Sequence, residues 1–152
     1  MTTTEILTND LGAQAVFDGG NPRTFTATAG ETLSGGQFVY VSGTSAESAV
    51  GSQAASFQDG DLVVKACDDI SRCNGIALNN AASAALVTVA TRGNYLVKSA
   101  GDISGGTLVT QNGRADAVSP AGVTDVGSWV GIIGRALTNA GSEDYCLVSL
   151  NI

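Results

Sequence analysis

The hydrophobic residues of this chain occur in short runs separated by small polar residues. From Phe25 onward, apolar and polar positions alternate within the runs, which is typical of strands buried on one face. Each run is bounded by Gly, Asn, Asp or Ser, residues that favour tight turns. The pattern predicts about ten short strands, with the sequences FTATA, QFVYV, DLVVKA, GIAL, ALVTVATR, NYLVKS, TLVTQ, ADAV, SWVGIIGRAL and YCLVSL.

The first 23 residues follow a different pattern. Their apolar positions neither alternate cleanly nor hold a helical stripe, and a turn cluster follows at residues 18–22. We therefore interpret residues 1–23 as an extended N-terminal arm and residues 24–152 as one β domain.

An internal repeat spans most of this β domain. The segment AGETLSGGQFVYVSG from Ala29 resembles AGDISGGTLVTQNG from Ala100, and GIALNNAASAALVTVAT from Gly75 aligns with GRALTNAGSEDYCLVSL from Gly134. The two copies cover about residues 25–93 and 100–152, and the first carries an insertion near residues 51–60. Each half alone would expose an apolar face and a free edge. The repeat thus predicts an all-β fold: a compact β-barrel or sandwich built from two similar halves.

Each copy of the repeat places Ser-Gly-Gly before an apolar strand, at Ser34 and again at Ser104. Glycine adopts positive φ at little cost, so this tripeptide can turn a loop sharply into a strand. A phosphate-binding loop would need a lysine and a following helix, whereas strands are predicted here. We therefore predict turns at both positions.

Composition narrows the classes of protein further. Hydrophobic residues make up 43% of the chain but aromatic residues only 5%, so the core must consist of Val, Ile, Leu and many Ala. The net charge is -7 and the seven basic residues are dispersed, which argues against nucleic-acid binding. The longest nearly apolar stretch, residues 81–90, is too short for a membrane span, and the first residues do not resemble a secretory leader. We expect a soluble protein that is not secreted.

Catalytic chemistry finds little support in the sequence. The absence of histidine excludes Ser-His-Asp and Cys-His arrangements. The sequence around Asp68 lacks the alternating carboxylates of a calcium loop. We predict no enzyme, no metal and no cofactor. Adjacent or nearly adjacent carboxylates fall in predicted turns, at Asp59 with Asp61, Asp68 with Asp69, and Glu143 with Asp144.

The three cysteines do not have the spacing of a zinc site. Buried free thiols are the expected state, and a disulfide between Cys67 and Cys73 is the alternative. Trp129 lies in the run SWVGII, where it fits either the core or an exposed contact surface.

The segment GIALNNAASAALVTVATRGNYLVKSAGDISGGTLVTQNGRADAV resembles the central signature of a family of tailed-phage capsid decoration (cement) proteins. The similarity extends over about residues 25–152. It consists of small-residue turns and aliphatic strands at Gly75 to Leu78, Val87 to Val89, Gly93, Ala100-Gly101, Gly105-Gly106 and Leu108-Val109.

The resemblance implies a structural virion protein on the outer capsid surface, made in the host cytoplasm. Its expected partner is the major capsid protein, and the expected oligomer is a homotrimer. An arm that orders on binding could add a strand to an edge of the capsid protein. The predicted capsid-binding residues of this arm are Thr2, Thr3, Thr4, Glu5, Ile6, Leu7, Leu11 and Phe17.

Two other classes of function stay open at this point. The first is a turret, fibre base or host-attachment module of the same virion, which would be present in far fewer copies than a cement protein. The second is a small enzyme or sugar-binding domain, which needs a concave site lined by aromatic and carboxylate groups. Eight aromatic residues in the whole chain make such a site hard to build.

Overall fold

A computed structural model describes residues 22–44, 60–68, 73–111, 118–120 and 131–152, and every regular element in these ranges is a β-strand. The predicted all-β class is therefore confirmed. Within these ranges, no helix has the length and hydrophobicity needed to cross a membrane. The strands are β1 (Arg23–Ala29), β2 (Phe38–Thr44), β3 (Leu62–Ala66), β4 (Gly75–Ala77), β5 (Leu86–Lys98), β6 (Leu108–Gln111), β7 (Val118–Pro120), β8 (Ile132–Ala136) and β9 (Tyr145–Asn151).

The first five strands close into a barrel. β3 lies between β1, to which it is parallel, and β2, to which it is antiparallel. β4 joins β2 to β5, and β5 returns to β1 along six residue pairs. The ring of pairings is thus β1-β3-β2-β4-β5-β1, and it satisfies both edges of each strand without leaving a free edge.

β5 is longer than the sequence predicts. The sequence predicts ALVTVATR and NYLVKS as separate strands, because Gly93 between them and Asn94 at the start of the second run favour a turn. They form one strand of 13 residues. Gly93 pairs with Leu150 and Asn94 with Ser149, so β9 supplies partners for the backbone where local propensity would have broken the strand.

Two apolar clusters lie on opposite faces of the barrel wall. Successive residues of a strand point to opposite faces, so Val39 and Ala77 belong to one cluster while Phe38 and Ile76 belong to the other. The cluster that fills the barrel is built of small and aliphatic residues, as the composition predicts: Ala27, Ala29, Leu33, Val39, Val64, Ala77, Ala81, Val87 and Val89. The outer cluster joins the barrel to the second half, and its largest members are Phe38, Ile76, Tyr95, Ile133 and Leu150.

The second half repeats the strand pairings of the first. β6 pairs with β7 and β8, β8 pairs with β9, and β9 pairs with the end of β5, all antiparallel. β2 pairs in the same way with β3 and β4, β4 with β5, and β5 with β1. Within the described ranges, β7 pairs with β6 alone, whereas its counterpart β3 pairs with two strands.

Hydrogen bonds outside the strands also recur in both halves. The bridge between Leu33 and Ala81 corresponds to the bridge between Ile103 and Ala140. In the alignment of the two copies by sequence, Ala29 corresponds to Ala100. The hydrogen bonds show that its structural counterpart is Ser99. The amide of Ala29 donates to the carbonyl of Ala85 at 2.8 Å, and the amide of Ser99 donates to that of Asp144 at 2.7 Å. With this register, the two copies need no gap between this residue and the Ser-Gly-Gly turn.

Candidate functional site

The residues predicted to bind a partner through the N-terminal arm lie outside the described residues. These are Thr2, Thr3, Thr4, Glu5, Ile6, Leu7, Leu11 and Phe17. Trp129 also lies outside the described residues. Their assignment to a binding site therefore stays a prediction from the sequence, and the structure bears only on the body that carries the arm.

Two matching turns form the most regular feature of that body. Gly36 has a φ of 94° and Gly106 a φ of 87°, both in the left-handed region that glycine enters most easily. The amide of Gln37 donates to the carbonyl of Ser34, and the amide of Thr107 to that of Ser104, each at 3.2 Å. β2 and β6 begin directly after these turns, so the predicted role of Ser-Gly-Gly is confirmed.

An asparagine from the next turn holds each of these glycine turns in place. The Asn80 Oδ1 atom accepts a hydrogen bond from the Gly35 amide at 2.8 Å, and Asn139 Oδ1 accepts one from Gly105 at 2.8 Å. The role of these two residues is not among those predicted from the sequence. The signal was present, because Asn80 and Asn139 occupy the same position in LNNA and LTNA of the two copies.

The residue before each of these asparagines forms a hydrogen bond with a neighbouring strand. Asn79 Oδ1 accepts a hydrogen bond from the Thr88 amide at 2.8 Å, and Thr138 Oγ1 accepts one from the Leu147 amide at 3.0 Å. Side chains at these two positions therefore satisfy backbone donors that have no ladder partner there. The loops of both halves are fixed by polar contacts with the scaffold.

Some carboxylates of the described residues also make structural contacts. Glu143 Oε2 lies 2.7 Å from the Lys98 Nζ atom, and both side chains are exposed enough for solvent to screen the pair. Asp102 Oδ1 accepts a hydrogen bond from the Ser142 amide at 3.2 Å. Among the described residues, no three His, Cys, Asp or Glu side chains come close enough together to hold a metal ion. Asp59 and Asp69 lie outside the described residues.

The three cysteines of the chain are free thiols, and Cys67 and Cys73 are joined by a side-chain hydrogen bond. Cys67 is buried and Cys73 is half-buried. Their hydrogen bond raises the pKa of Cys67, which burial raises further, and lowers the pKa of Cys73. Cys146 is buried in the outer cluster, where burial raises its pKa. The pair is the one chemically distinctive group within the described part of the chain.

Among the described residues, few large apolar side chains are exposed, and two of these occupy equivalent positions in the two halves. Leu86, the first residue of β5, is 61% exposed, and Tyr145, the first residue of β9, is 37% exposed. Leu137 and Ile152 are also exposed. Single exposed apolar residues are normal on protein surfaces, so they do not define a contact surface by themselves.

Comparison with solved structures finds a similar fold in a virus protein. The chain is similar to the N base of the head fibre gp8.5 of bacteriophage phi29, with a TM-score of 0.56 and 17% sequence identity. The match covers 86% of this chain and 94% of that chain. At this identity the similarity shows a shared fold. No family model and no curated protein sequence matches the chain.

Proposed function

We propose that this chain is a structural protein of a tailed-phage head, which binds the outer surface of the capsid and stabilises it. The observation that carries the proposal is the fold. The chain matches the base of a phage head fibre over nearly the full length of both chains, which includes both halves of the repeat. The resemblance of the sequence to the decoration family also supports a place on the phage head.

The physical character of the body suits a mechanical role. The described residues form a barrel with no free edge in its first half, and the loops of both halves are tied down by side-chain hydrogen bonds. Their carboxylates lie in turns or on the surface, and none of the described groups forms a metal cluster. Such a body resists local opening, because each strand of its first half is paired on both sides.

Binding to the capsid is assigned to the N-terminal arm and to trimer formation. In this proposal, residues 2–17 add a strand to the edge of a major capsid subunit, and three copies of the body join into a homotrimer. Linking several weak contacts in one trimer raises the overall affinity without any single tight contact. The trimer would then clamp neighbouring capsid subunits.

A second candidate is the base of a fibre or turret that projects from the head. The similar structure is itself the base of a head fibre, which favours this candidate specifically. The two candidates differ in number and in effect. A cement protein covers the capsid and raises its resistance to heat, whereas a fibre base occupies few sites and leaves the resistance of the head unchanged.

Particle stability tests the proposal. Particles of the source virus are prepared with and without the gene for this chain, and genome release is followed with a DNA-binding dye during heating. We expect particles without the chain to release DNA at a lower temperature, and purified full-length chain to restore the original temperature. Equal release temperatures, together with no binding of the added chain to the particles, would contradict a capsid-stabilising role.

A further inference from the structure

Cys67 and Cys73 stand at the two ends of the connection between β3 and β4. These strands do not pair with each other, because β2 lies between them. Ala66 at the end of β3 and Gly75 at the start of β4 both pair with Val39, from opposite sides. The two ends of the connection that contains the cysteines therefore lie on opposite sides of β2.

The backbone next to each cysteine is fixed to β2. The amide of Cys67 donates to the carbonyl of Phe38 at 2.8 Å, and the amide of Asn74 donates to that of Val39 at 2.8 Å. Asn74 Oδ1 also accepts a hydrogen bond from the Val41 amide at 2.8 Å. Both ends of the connection are thus held in register with β2, which keeps the two thiols together.

The two sulfur atoms already interact. The Cys67 thiol forms a hydrogen bond with the sulfur of Cys73, and this bond is the largest cause of the opposite pKa shifts of the two groups. Cys67 belongs to the outer cluster, and Cys73 packs against it. The third cysteine, Cys146, donates a hydrogen bond from its thiol to the carbonyl of Thr138 at 3.4 Å.

We propose that Cys67 and Cys73 form a reversible intramolecular disulfide that ties the end of β3 to the start of β4 across β2. The inference does not depend on the proposed function, since it concerns the folded chain by itself. It makes the barrel sensitive to the redox conditions around it. In reducing conditions, hydrogen bonds fix the two ends of the connection to β2. In oxidising conditions, a covalent bond also joins the two ends to each other.

The geometry assigns an order to the two sulfur atoms in reaction with a low-molecular-weight disulfide. Cys73 is the more accessible, and its lowered pKa favours the thiolate, so it attacks one sulfur of the small disulfide and releases one thiolate. Cys67 then loses its proton to that released thiolate and attacks the sulfur of Cys73, which expels the second small thiolate. The small disulfide is reduced to two thiols, and the two cysteines are oxidised to one disulfide.

The bond closes a short loop and stabilises the fold by restricting the unfolded chain. For a loop of this size and a domain of this length, we expect a rise in Tm of roughly 5 °C on oxidation. Reduction with a small dithiol should return the Tm to its original value.

The test uses purified full-length protein and oxidised glutathione as the small disulfide. After oxidation, the remaining thiols are alkylated under denaturing conditions, and the protein is digested and analysed by mass spectrometry. We expect one disulfide, between Cys67 and Cys73, and one alkylated thiol at Cys146. A disulfide that includes Cys146, or three alkylated thiols after prolonged oxidation, would overturn the proposal.

Single variants test the order of reaction and supply the control. The Cys67→Ala variant should accumulate glutathione on Cys73, whereas the Cys73→Ala variant should leave Cys67 largely unmodified. Cys146→Ala is the matched control, and it should still form the disulfide and show the full rise in Tm. Faster modification of Cys67 than of Cys73 would contradict the assigned order, even if Cys67→Ala lowers the stability of the reduced protein.

Discussion

Ala84 and Glu143 adopt the same left-handed backbone conformation at equivalent positions of the two halves, with φ values of 68° and 67°. The amide of Ala84 donates to the carbonyl of Ala29 at 2.7 Å, and the amide of Glu143 donates to that of Ser99 at 2.8 Å. Neither residue is a glycine, and this conformation costs such residues roughly 1 kcal/mol or more. The turn is therefore imposed by the strands on either side of it.

Replacing Ala84 by glycine should release this strain. We expect Ala84→Gly to raise the free energy of unfolding by about 0.5–1 kcal/mol, because the relief of strain exceeds the entropy that glycine adds to the unfolded chain. Urea denaturation followed by circular dichroism measures the change. Ala82→Gly is the matched control: Ala82 lies in the same loop without positive φ, so the substitution should lower stability slightly. If both variants lost stability equally, strain at Ala84 would be refuted.

Gly75 and Gly134 begin the two aligned segments and allow the same close approach of strands. A Cβ atom at Gly134 would lie 1.9 Å from the Ser149 carbonyl oxygen, and one at Gly75 would lie 2.5 Å from the Ala90 carbonyl oxygen. We expect Gly134→Ala to lower the free energy of unfolding by about 3 kcal/mol and Gly75→Ala by about 2 kcal/mol. Urea denaturation provides the comparison.

Gly43 supplies the control for this pair of substitutions. It is also a strand glycine, but a Cβ atom there would meet nothing within 4 Å. Gly43→Ala should change stability by less than about 0.5 kcal/mol. A loss at Gly43 as large as the loss at Gly134 would show that strand propensity, and not the close backbone contact, sets the cost.

The hydrogen bonds of Asn80 and Asn139 should contribute unequally to stability. Their donors differ in burial, because Gly35 is buried and Gly105 is exposed. Removing the acceptor of a buried amide leaves that amide unsatisfied, whereas water can replace the acceptor of an exposed one. We expect Asn80→Ala to cost about 2 kcal/mol and Asn139→Ala less than about 1 kcal/mol. Thermal unfolding followed by circular dichroism would rank them. Asn80→Asp keeps the acceptor oxygen and should retain most of the stability, and the reverse ranking of the alanine variants would contradict the argument.

Much of the fold follows from the sequence because it is encoded in local patterns. The alternation of apolar residues predicts the strands, the Ser-Gly-Gly tripeptides predict the turns, and the internal repeat indicates two similar halves. The single long strand β5 could not be predicted in the same way. Its continuity through Gly93 depends on hydrogen bonds with β9, which lies far away in the sequence.

The functional residues were less predictable, for a different physical reason. The roles of Asn80 and Asn139 depend on which turn lies beside them in space, and an asparagine in a loop has many alternative roles. Contact between Cys67 and Cys73 depends on β3 and β4 lying on opposite sides of β2. The spacing of the two residues in the sequence does not reveal this arrangement. The sequence offered a disulfide as an alternative to free thiols, and the two thiols are in contact.

The arm prediction can be tested directly by truncation. We expect removal of residues 2–17 to abolish binding to particles that lack the chain, because the strand that would pair with the capsid protein is lost. Co-sedimentation measures binding, and circular dichroism checks that the truncated body retains the Tm of the full chain. Undiminished binding of a folded, truncated body would assign the contact to the body instead.

The most direct test of a capsid-stabilising role is the number of copies per particle. In gradient-purified particles of the source virus, quantitative mass spectrometry gives the molar ratio of this chain to the major capsid subunit. We predict a ratio near one, or a simple fraction of one set by icosahedral symmetry. A few copies per particle would assign the chain to a fibre base or turret, and its absence from particles would contradict a structural role in the virion.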